Sequence, residues 1–181
     1  MAFKHGCILV LGGAKSGKSS YALDTCNRSG KKRVFLATAQ AGDLEMEERI
    51  RKHRAERGPA WSTREEPIEI TEIIRREDGK DTIILVDCLT LWLSNLFMKY
   101  KDDNDAIERV VESFVGQLAN IRGSVVAVSN EVGTGIVPDN ALSRRYRDRA
   151  GMLNQQVAAV SRKVVAVFAG IPLVLKEESF D

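Results

Sequence analysis

Short runs of apolar residues alternate with amphipathic stretches along most of the chain. The apolar runs, which predict buried strands, are Cys7–Leu11, Val34–Thr38, Thr82–Asp87, Ser124–Ser129, Val164–Phe168 and Leu173–Lys176. Stretches with apolar residues at every third or fourth position lie between most of these runs and predict helices. The alternation predicts one α/β domain over residues 1–181, with a mainly parallel central sheet covered by helices on both faces.

Three of the predicted helices have additional sequence signals at their ends. The helix before Gly123 has a regular apolar stripe, and Asn104 or Asp105 can cap its first turn. Pro67 suits the first turn of an isoleucine-rich helix. The longest helix is expected over Asn140–Lys163.

The segment after the first predicted strand has the phosphate-loop pattern G-x-x-x-x-G-K-[ST]. Its residues are Gly12, Gly13, Ala14, Lys15, Ser16, Gly17, Lys18 and Ser19. Glycines allow the backbone to wind closely around a polyphosphate, so that N–H groups face its negative charge. Lys18 would reach the β- and γ-phosphates, and the Ser19 hydroxyl would help to coordinate Mg²⁺. The alternative is a surface turn that has this pattern by coincidence.

Residues that directly follow other predicted strands are further candidates, because ligands bind at the carboxyl ends of parallel strands. Asp87 would direct a carboxylate toward the Mg²⁺, or it caps the next helix. Ala37, Thr38 and Ala39 either contact the nucleotide or form a plain connection. The loop that begins at Asn130 has a polar start and two glycines, which suit the handling of a substrate.

His53 and a group of arginines each allow two interpretations. His53 lies in a helix that is expected to begin at Asp43 and shares its apolar stripe with Met46 and Ile50. A histidine in such a place is either structural or catalytic. The arginines near the start of the longest helix form a solvent-exposed or subunit-facing surface, or they clamp a phosphate; they are Arg144, Arg145, Arg147 and Arg149.

Composition narrows the classes of partner. A formal net charge of +2 is too small to indicate binding to nucleic acid or to an anionic membrane surface. The first apolar run has five residues, too few for a membrane span or a signal peptide, and a cytoplasmic location is expected. Cys7, Cys26 and Cys88 form no C-x-x-C pair, which argues against a cysteine metal site.

Several segments of the chain together have a family signature. They are GGAKSGKS, ATA, EMEERIRKHRAER, WSTREE, ILVDCLTLWLSNL and SNEVGTGIVPDNALSRRYRDRAGMLNQ. Over roughly Ile8–Lys176, the chain resembles the adenosylcobinamide kinase/adenosylcobinamide-phosphate guanylyltransferase family, the bifunctional enzymes of cobalamin nucleotide-loop assembly. The NEVG-x-GIVP and R-I-x-x-H-R motifs are more specific than the phosphate loop.

The resemblance implies a P-loop NTPase of the RecA-like type with two activities. One is phosphorylation of adenosylcobinamide by ATP or GTP, and the other is transfer of GMP from GTP to adenosylcobinamide phosphate through a guanylylated histidine. The family's histidine falls on His53. A homotrimer is also implied. The implied nucleotide-binding residues are the phosphate loop, Ala37, Thr38, Ala39, Arg54, Ala55, Glu56, Arg57, Glu65 and Asp87.

Lys15 departs from the family pattern, since relatives commonly have arginine there. Lysine keeps the positive charge but lacks the planar guanidinium fork, so one phosphate contact is changed.

Two other functions remain as alternatives. A monofunctional phosphate-loop kinase would transfer only the γ-phosphoryl group, with His53 structural, and labelling of the protein by guanine nucleotide separates the two. A nucleotide-dependent switch or nucleic-acid motor belongs to another class. The near-neutral charge and the lack of interleaved basic and aromatic residues argue against it.

Overall fold

Seven strands form a single sheet in this computed structural model, which describes residues 5–39, 58–101 and 103–178. Their spatial order is β3-β2-β4-β5-β1-β6-β7. Every neighbouring pair is parallel except β6 and β7, so the predicted mainly parallel sheet is confirmed. The strands are β1 (Gly6–Gly12), β2 (Lys32–Ala37), β3 (Trp61–Glu65), β4 (Thr82–Asp87), β5 (Ser124–Asn130), β6 (Lys163–Phe168) and β7 (Ile171–Glu177).

Five helices lie in the described ranges, and none of them is long and apolar enough to cross a membrane. They are α1 (Lys18–Asn27), α2 (Ile70–Glu77), α3 (Leu89–Tyr100), α4 (Asn104–Ala119) and α5 (Ala141–Val160).

The helix ends differ in detail from the sequence prediction. The cap of α4 is Asp103, whose carboxylate accepts a hydrogen bond from the Ala106 N–H, so the prediction of Asn104 or Asp105 was wrong. The α2 helix begins at Ile70 instead of at Pro67, because the Glu66 carboxylate takes the N–H groups just before it.

Alternating side chains of the strands build a core on each face of the sheet. One core packs against α2–α5 and includes Leu9, Val86, Ala127, Trp92 and Phe114. The other packs against α1 and includes Val10, Leu85, Val126, Ala22 and Cys26. Because the central strands are buried on both faces, they are apolar without a break, and this is the pattern that marked them in the sequence.

The last strand, β7, has a different environment. It lies at the edge of the sheet, antiparallel to β6, because the two-residue turn Ala169–Gly170 can join only antiparallel neighbours. Its apolar side chains are exposed on both faces, with Ile171 at 70% and Leu175 at 58% of full exposure. An exposed apolar edge strand is a surface on which another chain can pack.

Candidate active site

The phosphate loop joins β1 to α1 in a tight turn, and two of its residues have left-handed backbone conformations. Lys15 and Gly17 have φ angles of 55° and 95°, and Gly17 is the residue before the first turn of α1. Lys18 begins the helix, and its Nζ donates to the Gly13 carbonyl oxygen at 3.1 Å. The side chain is 9% exposed, so its charge lies against the loop and not in open solvent.

Two neighbouring segments hold the phosphate loop in place. The Glu131 N–H donates to the Gly12 carbonyl at 3.1 Å, and the Gly170 N–H donates to the Ser16 carbonyl at 2.8 Å. A Cβ at Gly12 would overlap the Ser16 hydroxyl and lie 2.7 Å from the Val167 carbonyl oxygen. Only glycine fits there, since β6 and the loop itself occupy the space.

The Ser16 hydroxyl is buried and has no hydrogen-bond partner among the described residues. An unpartnered hydroxyl within a loop of backbone N–H groups fits the binding of an anion, whose oxygens accept hydrogen bonds.

The carboxyl ends of the six parallel strands lie at one edge of the sheet. The strand register pairs Glu65 with Ala37, Ala37 with Asp87, and Gly12 with Asn130. Because neighbouring strands are about 4.8 Å apart, Glu65 and Asp87 lie about 10 Å from each other along this edge. The fold thus brings the phosphate loop, Ala37, Glu65 and Asp87 to a common edge, where ligands of such sheets bind.

Ser19 and Asp87 are the predicted ligands of Mg²⁺. Ser19 is in the first turn of α1, and Asp87 ends β4. The described ranges contain no group of three or more His, Cys, Asp or Glu residues that could hold a metal ion. Mg²⁺ beside a nucleotide needs only one or two protein oxygens, since phosphates and water complete its shell, so a hydroxyl and a carboxylate fit this ion.

Thr38 has an internal role in the structure. Its side chain is fully buried, and its hydroxyl donates to the Cys88 carbonyl and accepts from the Cys88 N–H, both at 2.8 Å. The Thr38 carbonyl accepts from Asn95 at 2.8 Å. The hydroxyl therefore joins the ends of β2 and β4, and a nucleotide contact of this segment would come from Ala37 or Ala39, which are partly exposed.

Arg144 and Arg149 of α5 contact other segments of the chain. Arg144 donates to the carbonyl oxygens of Pro138 at 3.0 Å and Asp139 at 2.6 Å, and so holds the end of the loop that follows β5. Arg149 forms an ion pair with Glu108 of α4. In this structure both guanidinium groups stabilise packing.

Comparison with known proteins places this chain in a family. Residues 8–175 match the family model described as cobinamide kinase / cobinamide phosphate guanyltransferase. The chain belongs to this family. It is 45% identical over 170 residues to the bifunctional adenosylcobalamin biosynthesis protein CobP of Pseudomonas aeruginosa, covering 94% of this chain and 97% of that one. It is 37% identical over 180 residues to CobU of Escherichia coli, covering 93% and 99%.

Solved structures with a similar fold are distant in sequence. A KaiC-like protein of Pyrococcus horikoshii has a TM-score of 0.54 at 11% identity, covering 96% of this chain and 80% of that one. The RadB recombinase has a TM-score of 0.53 at 14% identity, covering 89% and 73%. These likenesses support the RecA-like α/β fold of this family member and carry no argument about its substrates.

The sequence prediction missed Thr90, the centre of a buried polar cluster at the carboxyl ends of β4 and β5. Its hydroxyl accepts from Asn130 Nδ2 at 2.7 Å and lies 3.1 Å from the Cys88 sulfur. Its carbonyl accepts from the Tyr146 hydroxyl at 2.7 Å. The available signal was a polar residue near the start of the largely apolar stretch LTLWLSNLF.

The groups around Thr90 are protonated. Burial raises the pKa of the Cys88 thiol, and the neighbouring Asp87 carboxylate raises it further. Burial, together with Cys88, also raises the pKa of Tyr146 to about 12. At neutral pH the cluster is therefore uncharged, and Cys88 is no thiolate nucleophile.

The residues for which the family resemblance is most informative lie outside the described residues. They are His53, Arg54, Ala55, Glu56 and Arg57, together with the helix expected from Asp43. Their roles stay predictions.

Proposed function

We propose that this chain phosphorylates adenosylcobinamide and then transfers GMP from GTP to adenosylcobinamide phosphate, as its family membership implies. The match over residues 8–175, with a relative 45% identical over nearly its whole length, is the observation that carries the proposal. The relatives carry names of bifunctional proteins, which favours two activities over a monofunctional kinase.

In the kinase step, the phosphate loop would bind the polyphosphate of ATP or GTP. Backbone N–H groups and Lys18 would face the phosphates, and Ser19 and Asp87 would hold Mg²⁺, which neutralises charge on the transferred group. Ala37, Ala39 and Glu65, at the same edge of the sheet, would contact the nucleoside. The loop after β5 would receive the hydroxyl substrate.

In the guanylyl step, His53 would attack the α-phosphate of GTP. A nitrogen–phosphorus bond forms while the bond to the β-phosphate oxygen breaks, and pyrophosphate leaves. A phosphate oxygen of adenosylcobinamide phosphate then attacks the same phosphorus, and the histidine departs as its ring takes up a proton. Arg54 and Arg57 would offset the negative charge that develops on the α-phosphate, as part of the nucleotide-binding stretch Arg54–Arg57.

We also propose a homotrimer in the cytoplasm, without a nucleic-acid partner. The exposed apolar surface of β7, at the free edge of the sheet, supports an assembly of several copies. The near-neutral charge supports the absence of nucleic acid.

The decisive experiment follows the GMP group. The protein is incubated with α-labelled GTP and Mg²⁺, and we expect acid-labile, base-stable label on the wild type and none on His53→Ala. Guanylyl transfer should be lost with the label, while kinase activity should survive at least in part.

The chain offers a matched control for this experiment. His5, the other histidine, is exposed ahead of β1, and His5→Ala should label as the wild type does. Label on folded His53→Ala, or label mapped to another residue, contradicts the assignment of the nucleophile. Absence of label on the wild type contradicts the guanylyltransferase itself.

A further inference from the structure

Asn130 lies between the two halves of the nucleotide site. It ends β5, the strand that separates β1 from β4 in the sheet. The register pairs Asn130 with Gly12 at the start of the phosphate loop, and it pairs Asp87 with Val128, two residues earlier on β5. Asn130 is therefore no more than one strand away from either half.

The contacts of Asn130 connect both halves. Its Nδ2 donates to the Thr90 hydroxyl at 2.7 Å, and that hydroxyl contacts Cys88, the residue after Asp87. On the other side, the next N–H along the chain, that of Glu131, donates to the Gly12 carbonyl at 3.1 Å. Thr90 is only 4% exposed, so this connection is shielded from water.

Asn130 is also the first residue of the loop to α5, which is held at its two ends. Arg144 holds the far end through Pro138 and Asp139, whereas the near end is attached to the nucleotide edge. Between these ends Ile136 is 96% exposed and Val137 56%, so the middle of the loop has no packing of its own.

We propose that Asn130 is a positioning residue that couples the nucleotide-binding edge to the acceptor loop, residues 131–139. Through the Thr90 hydrogen bond, a nucleotide bound at Gly12 and Asp87 fixes the start of this loop, and the fixed loop binds the acceptor. The coupling rests on the proposed function for the identity of the acceptor, but not for the link between nucleotide and loop.

The first test separates acceptor binding from nucleotide binding. Thr90→Val removes the hydrogen-bond acceptor at constant shape, and Asn130→Ala removes the donor. Each variant should raise the KM for adenosylcobinamide about 3- to 10-fold, the usual effect of losing one neutral hydrogen bond. Because coupling between two ligands is reciprocal, nucleotide binding is measured without acceptor, and its dissociation constant should then change by less than about twofold. Combining the two changes should add no further loss, because both remove the same bond.

Two matched variants control for a general loss of packing. Thr90→Ser keeps the hydroxyl and should restore the wild-type KM. Tyr146→Phe removes the bond to the Thr90 carbonyl, on the other side of the residue, and should leave the KM unchanged. If Tyr146→Phe raises the KM as much as Thr90→Val does, or if nucleotide binding weakens in parallel, the role is merely structural and the proposal is wrong.

The second test needs no acceptor. Amide hydrogen exchange of residues 131–139 is measured with and without Mg²⁺ and a non-hydrolysable GTP analogue. The wild type and Thr90→Ser should exchange more slowly when nucleotide is bound, and Asn130→Ala and Thr90→Val should lose this protection. Equal protection in all four proteins overturns the coupling. A wild type that shows protection but does not turn over adenosylcobinamide contradicts the proposed function alone.

Discussion

Lys18 turns its ammonium group back onto the loop that is expected to bind phosphate. One of its N–H donors is satisfied by the Gly13 carbonyl oxygen, and an ammonium group has three donors in total. The nearly buried side chain is already beside the loop backbone, so a polyphosphate there would gain a close positive charge without a large rearrangement of the protein.

We therefore expect Lys18→Ala to lose activity in both half-reactions. The loss in kcat should be about 100-fold or more, the usual effect of removing one charged or hydrogen-bonding group that stabilises the transition state. Steady-state assays of phosphoryl and guanylyl transfer measure it. Lys80→Ala, an exposed lysine just before β4 at the opposite edge of the sheet, is the control. Unchanged turnover of a folded Lys18→Ala protein would remove the phosphate-loop assignment.

Local spacing explains which residues of the site were predictable from the sequence. The phosphate loop and Asp87 are marked by short patterns next to apolar runs, and the structure brings them to one edge. Thr38 and Thr90 could not be predicted in their roles, because their partners are 50 and 40 residues away in the chain. A polar side chain whose hydrogen-bond partner is distant in the chain leaves no periodic signal.

At the scale of elements, β1, the phosphate loop and β6 form one tightly packed unit. Gly12→Ala would place a methyl group against the Ser16 hydroxyl and the Val167 carbonyl. Overpacking of this kind costs about 1–3 kcal/mol, and for a chain of this size each kcal/mol lowers the melting temperature by about 2–4 °C. We expect a lower melting temperature and weaker nucleotide binding, measured by calorimetry.

Gly13→Ala is the matched control for stability. A Cβ at Gly13 has no neighbour within 4 Å among the described residues, and we expect its melting temperature to stay near that of the wild type. Equal melting temperatures for both variants would show that the space around Gly12 does not limit this residue to glycine.

Most of the described elements followed closely from hydrophobic periodicity, whereas β3 and the junctions between elements did not. The buried strands were recognisable because both faces are covered. The start of α2 and the cap of α4 were misplaced because neighbouring polar side chains compete for the N–H groups at helix starts. Glu66 and Asp103 accept these hydrogen bonds in the structure, and periodicity does not distinguish them from adjacent polar residues. The antiparallel direction of β7 follows from the length of the preceding turn and not from its own composition.

At the scale of the whole molecule, β7 exposes four large apolar side chains, more than any other described element. Leu173 and Leu175 are 55% and 58% exposed at the sheet edge. If copies of the chain cover them, each leucine contributes about 0.8–1.7 kcal/mol to assembly, because just over half of its surface remains to be buried. We expect the double variant Leu173→Glu/Leu175→Glu to be monomeric at concentrations where the wild type forms the proposed trimer, as measured by size-exclusion chromatography with light scattering.

Met152→Glu provides the comparison, since Met152 is 47% exposed and belongs to α5 instead of to the edge strand. It should keep the wild-type mass. A double variant with the wild-type mass would exclude β7 from the interface, and a monomeric wild type would contradict the homotrimer.

The turn between β6 and β7 has a consequence for the entropy of nucleotide binding. Its Gly170 N–H, together with the Glu131 N–H, fixes the phosphate loop while the chain folds. Ordering the backbone of one residue costs about 1–2 kcal/mol, so a loop that is already ordered removes several such costs from the binding step. Part of the affinity for nucleotide is thereby supplied in advance by folding of the β6–β7 hairpin, whose residues need never touch the ligand.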